Sequence, residues 1–247
     1  MVDGLLGKRV MTIHLNGHSI KEFITIHIYM EQVFTYIYEN NIWGDNLNNK
    51  YSGSSGDGST IEFNKDTYIN FVQNFIKDHN ITSVVDLGCG DFRCGGLIYD
   101  ELNVKYTGYD VYKKVVDFNT SKHIGTKYNF IHLDFMNEKE QIVESDLCIL
   151  KDVIQHWCLR DIYTFLDYIT NTKKFRYILI CNCGQQNLDN TDIYNGNYRP
   201  LSYKFLPLKK YDPVKLYEYN GKELCLISPA NPANLVISSH GRERTQI

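Results

Sequence analysis

No apolar segment of this 247-residue sequence reaches the length of about 20 residues that a membrane-spanning helix needs. Near the start, Asp3 and several polar residues interrupt the pattern of a signal peptide, and Met11 and Met30 are alternative start sites. We therefore expect a cytoplasmic protein without a membrane partner. The frequent Asn, Ile and Tyr residues are typical of AT-rich genomes, which favours a viral or protist source.

A strong excess of one charge is also missing. The 26 Lys and Arg residues nearly balance the 29 Asp and Glu residues, which leaves a formal net charge of −3. The lysine pairs, such as Lys113-Lys114 and Lys209-Lys210, are scattered along the sequence. We therefore expect no extended groove for nucleic acid, although folding can still assemble a local basic patch.

Cysteine pairs with the spacing of a zinc site are missing as well. The sequence has seven cysteines but no Cys-x-x-Cys pair. Cys181 and Cys183 would point to the same face of a predicted strand, which leaves metal binding as an alternative. The favoured interpretation is reduced, buried thiols in a cytosolic core, so we expect no metal site.

The most informative part of the sequence is a glycine turn between a predicted strand and a predicted helix. The apolar segment Ser83–Leu87 predicts a buried parallel strand. Gly88-Cys89-Gly90 follows directly, and then comes Asp91, which we expect to cap a helix extending to Tyr99. Glycines allow a tight turn and a ligand close to the backbone, and a helix N-terminus attracts anionic groups. The pattern predicts a ligand-binding site.

A second predicted strand, Tyr106–Val111, ends in a carboxylate. Asp110 follows the glycine turn by about 20 residues, the spacing at which an acidic side chain can bind ribose hydroxyls. A dinucleotide fingerprint would need a third glycine where this sequence has Arg93. The residues Asp-Leu-Gly-Cys-Gly-Asp at 86–91 resemble instead the first motif of class I S-adenosylmethionine (SAM) methyltransferases. This resemblance implies SAM as the cofactor.

Predicted strands and helices alternate through the rest of the sequence. The predicted strands are Ser83–Leu87, Tyr106–Val111, Tyr128–Phe135, Asp146–Val153, Tyr177–Cys183, Lys215–Tyr219 and Glu223–Ser228. Such alternation gives a parallel sheet with helices on both faces, and Asn220-Gly221 predicts a tight hairpin. We expect an α/β fold with a Rossmann-like, seven-stranded, mostly parallel sheet and a C-terminal antiparallel hairpin. The resemblance implies the same layout.

The N-terminal part has weaker signals. Thr12–Leu15 predicts a short strand, and Asn16-Gly17 predicts a turn after it. Apolar residues at helical spacing predict helices over Glu22–Glu39 and Thr67–His79. We expect the first of these helices to provide a packing surface.

The glycine-rich segment between residues 45 and 60 has two interpretations, a flexible linker or a lid. Trp43-Gly44 followed by Ser55-Gly56-x-Gly58-Ser59 resembles the leader of an uncharacterised methyltransferase subfamily, which favours a lid over the active site. The resemblance extends from about Phe34 to Ile227. We expect an N-terminal extension with this lid at 1–60, a methyltransferase domain at 61–235 and a flexible tail at 236–247.

The resemblance also implies a set of cofactor-binding residues. These are Asp86, Gly88, Cys89, Gly90, Asp110, Val111, Asp134, Phe135 and Lys151. In this interpretation the glycine turn and Asp86 shape the pocket for the methionine part of SAM, and Asp110 binds the ribose. Asp134 and Phe135, at the end of the third predicted strand, contact the adenine.

Polar residues at the end of the fourth predicted strand carry the predicted chemistry. Lys151, Asp152 and His156 follow a buried strand, where polar groups are costly unless they are used. We expect His156 to act as a base that Asp152 orients and makes more basic. The alternative is a helix cap by Asp152 and a packed histidine. The sequence lacks the Asn/Asp-Pro-Pro-Tyr and Pro-Cys motifs of amino and cytosine-C5 methyltransferases, which favours a hydroxyl acceptor.

A third group of residues is expected to bind the acceptor. It comprises Trp43, Ser55, Gly56, Ser59, Tyr198 and Arg199. Arg199 lies in a segment that resembles the subfamily's aromatic-Arg-Pro-Leu insertion, and it would grip an anionic or hydroxylated substrate; packing of that loop is the alternative. We predict SAM-dependent O-methylation of a small hydroxylated acceptor such as a sugar. The alternatives are a protein or RNA methyltransferase and a non-catalytic module that binds SAM or a nucleoside. The oligomeric state stays open.

Overall fold

The computed structural model describes residues 9–15, 18–24, 30–46 and 50–228. Strands β1 (Arg9–Leu15) and β2 (His18–Ile24) pair antiparallel in a small sheet of their own. The predicted strand at Thr12–Leu15 is therefore confirmed, while the predicted turn at positions 16 and 17 lies outside the described residues.

The first helix begins later than expected. Helix α1 is Met30–Glu39, whereas residues 22–24, which were predicted to be helical, belong to β2. The prediction was wrong there because Phe23 and Ile24 also suit a strand, and backbone pairing with β1 overrides the helical spacing. The intervening residues 25–29, part of the same predicted helix, lie outside the described residues. The tail at 236–247 does so as well.

A seven-stranded sheet forms the centre of the protein, with strand order β5-β4-β3-β6-β7-β9-β8. Its strands are β3 (Ser83–Leu87), β4 (Lys105–Asp110), β5 (Tyr128–His132), β6 (Ser145–Lys151), β7 (Phe175–Cys183), β8 (Val214–Tyr219) and β9 (Lys222–Ile227). The first five are parallel, whereas β9 pairs antiparallel with β7 and β8. The predicted fold class is confirmed.

Further helices lie between these strands. They are α2 (Ile61–Asn64), a π-helical turn (Lys65–Ile69), α3 (Asn70–Asp78), α4 (Gly95–Tyr99), α5 (Lys113–Lys122) and α6 (Leu159–Asn171). The chain also forms 3-10 turns at Asp57–Ser59, Lys139–Gln141, Ile154–His156 and Leu208–Tyr211. The helix predicted over Thr67–His79 begins earlier because the Thr60 hydroxyl accepts a hydrogen bond from the Phe63 N–H.

The apolar core lies on both faces of the sheet. Val84, Leu147 and Leu179 pack on one face, while Cys148 and Ile180 pack on the other. Strands covered on both faces need nearly continuous apolar residues, which explains the strength of the strand signals. All seven cysteines are free, and within the described ranges no group of His, Cys, Asp or Glu residues could hold a metal ion. None of the helices described is long and apolar enough to cross a membrane.

The last two strands form the predicted hairpin. Asn220 and Gly221 have φ angles of 46° and 76°, the left-handed conformation that a tight two-residue hairpin turn requires. The turn places Lys222 at the start of β9, paired with Cys183 at the carboxyl end of β7. The hairpin therefore brings a lysine from the end of the sequence to the edge of the sheet where ligands bind in this type of fold.

Candidate active site

A cavity opens at the carboxyl ends of β3, β4, β5 and β6. It encloses about 1090 Å³, including space open to solvent. The chain runs outward from β3 to β5 and returns on the other side of β3 to β6, so the cavity lies where ligands bind in open α/β sheets. The predicted site residues in its wall are Trp43, Ser55, Ser59, Asp86, Gly88, Cys89, Gly90, Asp110, Val111, Asp134, Phe135, Lys151, Asp152 and His156.

The glycine turn after β3 is held close to β4 and to the loop after β6. The N–H groups of Gly88 and Cys89 donate to the Tyr109 carbonyl oxygen at 2.8 and 3.0 Å. Gly88 has a φ of 80°, and a Cβ atom on it would lie 2.5 Å from Cγ2 of Val153. We expected glycine here to leave room for a ligand. It leaves room for Val153, so a larger residue would disturb the fold as well as the cavity.

The helix after this turn begins later than predicted. Asp91 does not cap it; α4 starts at Gly95, and Asp91 instead pairs with Nε of Arg93 at 2.7 Å. Phe92 has a left-handed φ of 53°, and its ring packs so closely on Gly95 that a Cβ atom there would be 2.0 Å from the ring. The extra turn between the glycines and the helix is therefore built around an aromatic side chain.

Two buried carboxylates face the cavity from β3 and β4. Asp110 accepts hydrogen bonds from the N–H groups of Gly90 and Tyr112, both at 2.9 Å, so it also holds the glycine turn in place. Burial raises the pKa of Asp110, and these two N–H groups act in the opposite direction. Asp86 accepts from the Tyr106 hydroxyl at 2.9 Å. Burial raises the pKa of Asp86 to about 6.

The end of β5 supplies a polar group and an apolar wall. The carboxylate of Asp134 accepts a hydrogen bond from the side-chain amide of Asn137 at 2.7 Å. Phe135 is buried, with its ring centroid 5.8 Å from that of Trp157. An aspartate beside a buried aromatic ring offers both an acceptor and a flat apolar surface, as a purine would need.

The glycine-rich segment 55–59 lies over the cavity. The Ser55 hydroxyl accepts a hydrogen bond from the Asp91 N–H at 3.0 Å and hydrogen-bonds with the Tyr38 hydroxyl at 2.8 Å. The Gly58 carbonyl accepts from Nζ of Lys151 at 2.6 Å. Ser55 and Ser59 line the cavity, whereas Gly56 does not. We call residues 55–59 the strap.

Helix α1 forms another part of the wall. Met30, Phe34 and Tyr38 line the cavity, and the Tyr38 ring stacks on Tyr112 with centroids 4.4 Å apart. Glu39 fixes the end of the helix, because it accepts from the Tyr112 hydroxyl at 2.8 Å. We expected this helix to provide a packing surface within the N-terminal extension, and it also lines the cavity. Nothing in the local pattern distinguishes residues that pack on a core from residues that cover a cavity.

The end of β6 carries a group of charged residues around Asp152. Its carboxylate accepts hydrogen bonds from Lys151 at 2.8 Å, Lys222 at 2.5 Å and Gln155 at 3.1 Å. Burial alone would raise the pKa of Asp152, but the two ammonium groups hold it below its ordinary value. The backbone of Asp152 is left-handed, with a φ of 60°. Sequence reasoning missed Lys222, which lies 70 positions away along the chain.

His156 is oriented differently from our expectation. Among the hydrogen bonds of the described residues, none joins it to Asp152; the Gln155 side chain lies between them. Nδ1 of His156 lies 2.9 Å from the Asn197 carbonyl oxygen, which can only accept, so Nδ1 carries the proton. In the neutral ring Nε2 therefore has the electron pair that a proton acceptor requires, and the side-chain amide of Gln155 lies 3.4 Å from it.

The pKa of His156 also departs from the expected direction. Burial lowers it below its ordinary value, because a charged imidazole loses hydration there. The hydrogen bond to Asn197 and the charge of Asp152 act in the opposite direction but do not reverse the shift. Asp152 does act to raise this pKa, as we expected, but burial outweighs it and the net shift is downward. Burial therefore favours the neutral form of His156.

Tyr198 and Arg199 lie outside the cavity wall. Arg199 is only 3% exposed, and its Nη1 donates to the Trp157 carbonyl oxygen at 2.6 Å. Its backbone N–H donates to the Gln155 carbonyl at 3.1 Å. Arg199 thus supports the turn that carries His156, as the packing alternative described. Tyr198 is 52% exposed, and its ring centroid lies 6.0 Å from that of His156, on the solvent side.

Comparisons with known proteins identify the fold. No protein-family model and no curated protein sequence matches this chain. Among solved structures, the methyltransferase domain of bacterial CtHen1 superposes with a TM-score of 0.52 and 16% identity, over 65% of this chain and 97% of that one. An O-methyltransferase family protein from Burkholderia thailandensis gives 0.52 and 10% identity, over 65% of this chain and 55% of that one. This chain has the class I methyltransferase fold.

The N-terminal domain of EvdMO1 shares the methyltransferase fold as well. Its structure, solved in the presence of SAH and D-fucose, superposes with a TM-score of 0.51 and 11% identity. The superposition covers 72% of this chain and 85% of that domain. The central sheet of this chain is thus the sheet of the methyltransferase fold. The residues predicted from the first motif lie together at the ends of its strands.

Proposed function

We propose that this protein is a SAM-dependent methyltransferase that transfers the methyl group to a hydroxyl of a small acceptor such as a sugar. The observation that carries the proposal is the cavity that unites the glycine turn, Asp110, Asp134 and His156 at the ends of four parallel strands. The EvdMO1 domain, which has this fold and was solved in the presence of SAH and D-fucose, supports it.

The charges in the cavity wall fit SAM, which is cationic overall: it carries a sulfonium group, and its carboxylate lies beside its own ammonium group. Of the residues that the structure describes, five aspartates line the cavity, namely Asp86, Asp91, Asp110, Asp134 and Asp152. The cationic side chains among the described wall residues are Arg93 and Lys151, and both are paired with aspartates. An excess of buried negative charge favours a cationic ligand. In our proposal Asp86 faces the ammonium group, because only one of its oxygens is used by Tyr106.

The remaining cofactor contacts follow the order of the strands. We assign the ribose to Asp110 at the end of β4 and the adenine to Asp134 and Phe135 at the end of β5. The glycine turn leaves backbone exposed to the cavity between these positions. Helix α1 and the strap would cover the cofactor from the N-terminal extension, with Lys151 holding the strap.

When bound, SAM supplies a methyl group that is already electrophilic. The acceptor oxygen forms a bond to the methyl carbon while the carbon–sulfur bond breaks and its electron pair stays on sulfur. The proton of the hydroxyl passes to Nε2 of His156, which the hydrogen bond from Nδ1 to Asn197 leaves unprotonated. The acceptor hydroxyl takes the place of the Gln155 amide, which lies 3.4 Å from Nε2. Positioning of the two reactants can supply about 7–11 kcal/mol, and a general base adds roughly 10²–10⁴-fold.

Calorimetric titration with SAM tests the cofactor assignment. The wild type should bind one SAM per chain, and Asp86→Asn should bind it roughly 10-fold or more weakly, because the variant loses the charge but keeps an acceptor for Tyr106. Absence of SAM binding to the folded wild type would contradict the proposal. Binding without methyl transfer to any acceptor would favour the non-catalytic alternative.

A further inference from the structure

The cationic groups beside the cavity are already engaged by protein atoms. Nε of Arg93 pairs with Asp91 at 2.7 Å. Nζ of Lys151 donates to Asp152 at 2.8 Å and to the Gly58 carbonyl oxygen at 2.6 Å. An acceptor with a carboxylate or phosphate would have to break one of these pairs to be neutralised, and a buried aspartate would then be left without its partner.

The cations behind the wall cannot neutralise an acceptor either. Lys222 is 4% exposed and donates to Asp152 at 2.5 Å. Nε and Nη2 of Arg199 have no hydrogen-bond partner within the described part of the chain, but both atoms are buried and Arg199 is not part of the cavity wall. Instead, an anionic acceptor would meet the aspartates that line the cavity, and like charges in a buried site repel strongly.

The side of the cavity next to His156 offers aromatic rings. The ring of Trp43, which lines the cavity, lies 4.8 Å from that of His156, measured between centroids. On the solvent side, the half-exposed ring of Tyr198 lies 6.0 Å from His156. The two rings thus flank His156, Trp43 within the cavity wall and Tyr198 outside it. Their flat faces and edges bind the face of another ring better than a flexible polar chain.

We propose that the acceptor is an uncharged, hydroxylated ring compound, and that Trp43 and Tyr198 determine this specificity. The inference rests on the proposed function and adds the charge and shape of the acceptor to it. The neutral His156 is the group that takes the proton, so the acceptor itself needs no charged group for the reaction. The paired cations and the aromatic rings are two independent observations that favour the same class of compound.

Matched pairs of acceptors test the charge. The probes are phenol against 4-hydroxybenzoate and methyl glucoside against glucuronate, with transfer of the labelled methyl group from SAM as the measurement. We expect kcat/KM for the uncharged member of the reacting pair to exceed that of its carboxylated analogue at least 10-fold. A preference for the carboxylated member, or no turnover with either uncharged ring compound while SAM binds, would overturn the inference. Loss of SAM binding would instead refute the proposed function.

Two pairs of variants test the rings. Trp43→Ala and Tyr198→Ala should raise KM for the acceptor roughly 3- to 10-fold while kcat changes less, whereas Trp43→Phe and Tyr198→Phe should restore most of the loss. Because Tyr198 is exposed, its variants should fold normally. An unchanged KM in both alanine variants would overturn the role of the rings. The affinity for SAM, measured separately, should stay the same in the Tyr198 variants.

Discussion

Nζ of Lys151 donates a hydrogen bond to the carbonyl oxygen of Gly58 at 2.6 Å, and this contact ties the strap to the carboxyl end of β6. A Cβ atom on Gly58 would lie 3.1 Å from Oδ2 of Asp152 and 3.2 Å from Nζ of Lys222. A side chain at position 58 would therefore press on the charged residues around Asp152, which would have to shift by a few tenths of an ångström. The lid that the sequence suggested is here a segment docked on the site.

The docking of the strap predicts how it responds to mutation. Ser55→Ala removes the acceptor of the Asp91 N–H and the partner of Tyr38, so amide hydrogen exchange at 55–59 should become faster. The loss should amount to about 1–2 kcal/mol in the free energy of local opening. SAM should slow exchange in the wild type. Equal exchange in both proteins, with and without SAM, would mean that the strap is only a linker.

Ionisation of His156 predicts the pH dependence of the reaction. Its neutral form is the base, and burial lowers its pKa, so the rate should rise with pH through an apparent pKa below the ordinary histidine value of about 6.5 and level off above that pKa. His156→Ala should lower kcat by roughly 10²–10⁴-fold with little change in SAM affinity. As a control, His132→Ala should leave the rate unchanged, because His132 does not line the cavity. A near-normal rate for His156→Ala would show that positioning alone is sufficient.

The raised pKa of Asp86 predicts a cost in stability. Its pKa is about 6 in the folded protein and about 3.9 in an unfolded chain, so folding binds a proton between these values. Stability should therefore fall as pH rises from about 4 to about 6, by no more than about 3 kcal/mol. Asp86→Asn should raise the melting temperature at pH 7.5 but not at pH 4, and should weaken SAM binding. A lower melting temperature at pH 7.5 would contradict this account.

Lys222 should support the charged residues at the site. Lys222→Met leaves Asp152 with Lys151 alone, and we expect a loss of up to about 3 kcal/mol in the free energy of unfolding. Asp152 stabilises the fold above its unfolded pKa of about 3.9, and this contribution is lost as pH falls, so acid unfolding should shift to higher pH. Lys215→Met, at the partly exposed lysine on β8, should change stability by about 0.5 kcal/mol or less. Equal effects of the two substitutions would argue against the special role of Lys222.

Short sequence patterns were sufficient to predict the strands of the central sheet and its ligand-binding edge. The apolar segment at 83–87 and the glycines after it identified the central strand and its ligand-binding end, and Asn220-Gly221 identified the last hairpin. Such features depend on neighbouring residues, whose backbone preferences act over a few positions. The start of α1 was predicted too early, because residues 22–24 pair with β1 as part of strand β2 and do not form a helix.

The partners within the site could not be predicted in the same way. Asp152 and His156 are four positions apart and suggested a pair, but the turn at 154–156 places Gln155 between them. The group that orients His156 is the backbone of Asn197, and a backbone carbonyl has no residue signature. Lys222 contacts Asp152 because β9 pairs with β7, which in turn pairs with β6, and no local sequence pattern shows that pairing. Arg199 resembled a substrate-binding residue, yet it holds the Trp157 carbonyl oxygen.

A crystal structure with S-adenosylhomocysteine would test the central claim most directly. We predict the adenine beside Asp134 and Phe135, the ribose hydroxyls on Asp110, and the sulfur directed toward Nε2 of His156 across the remaining space of the cavity. Binding at another surface of the protein, or a sulfur directed away from His156, would contradict the account.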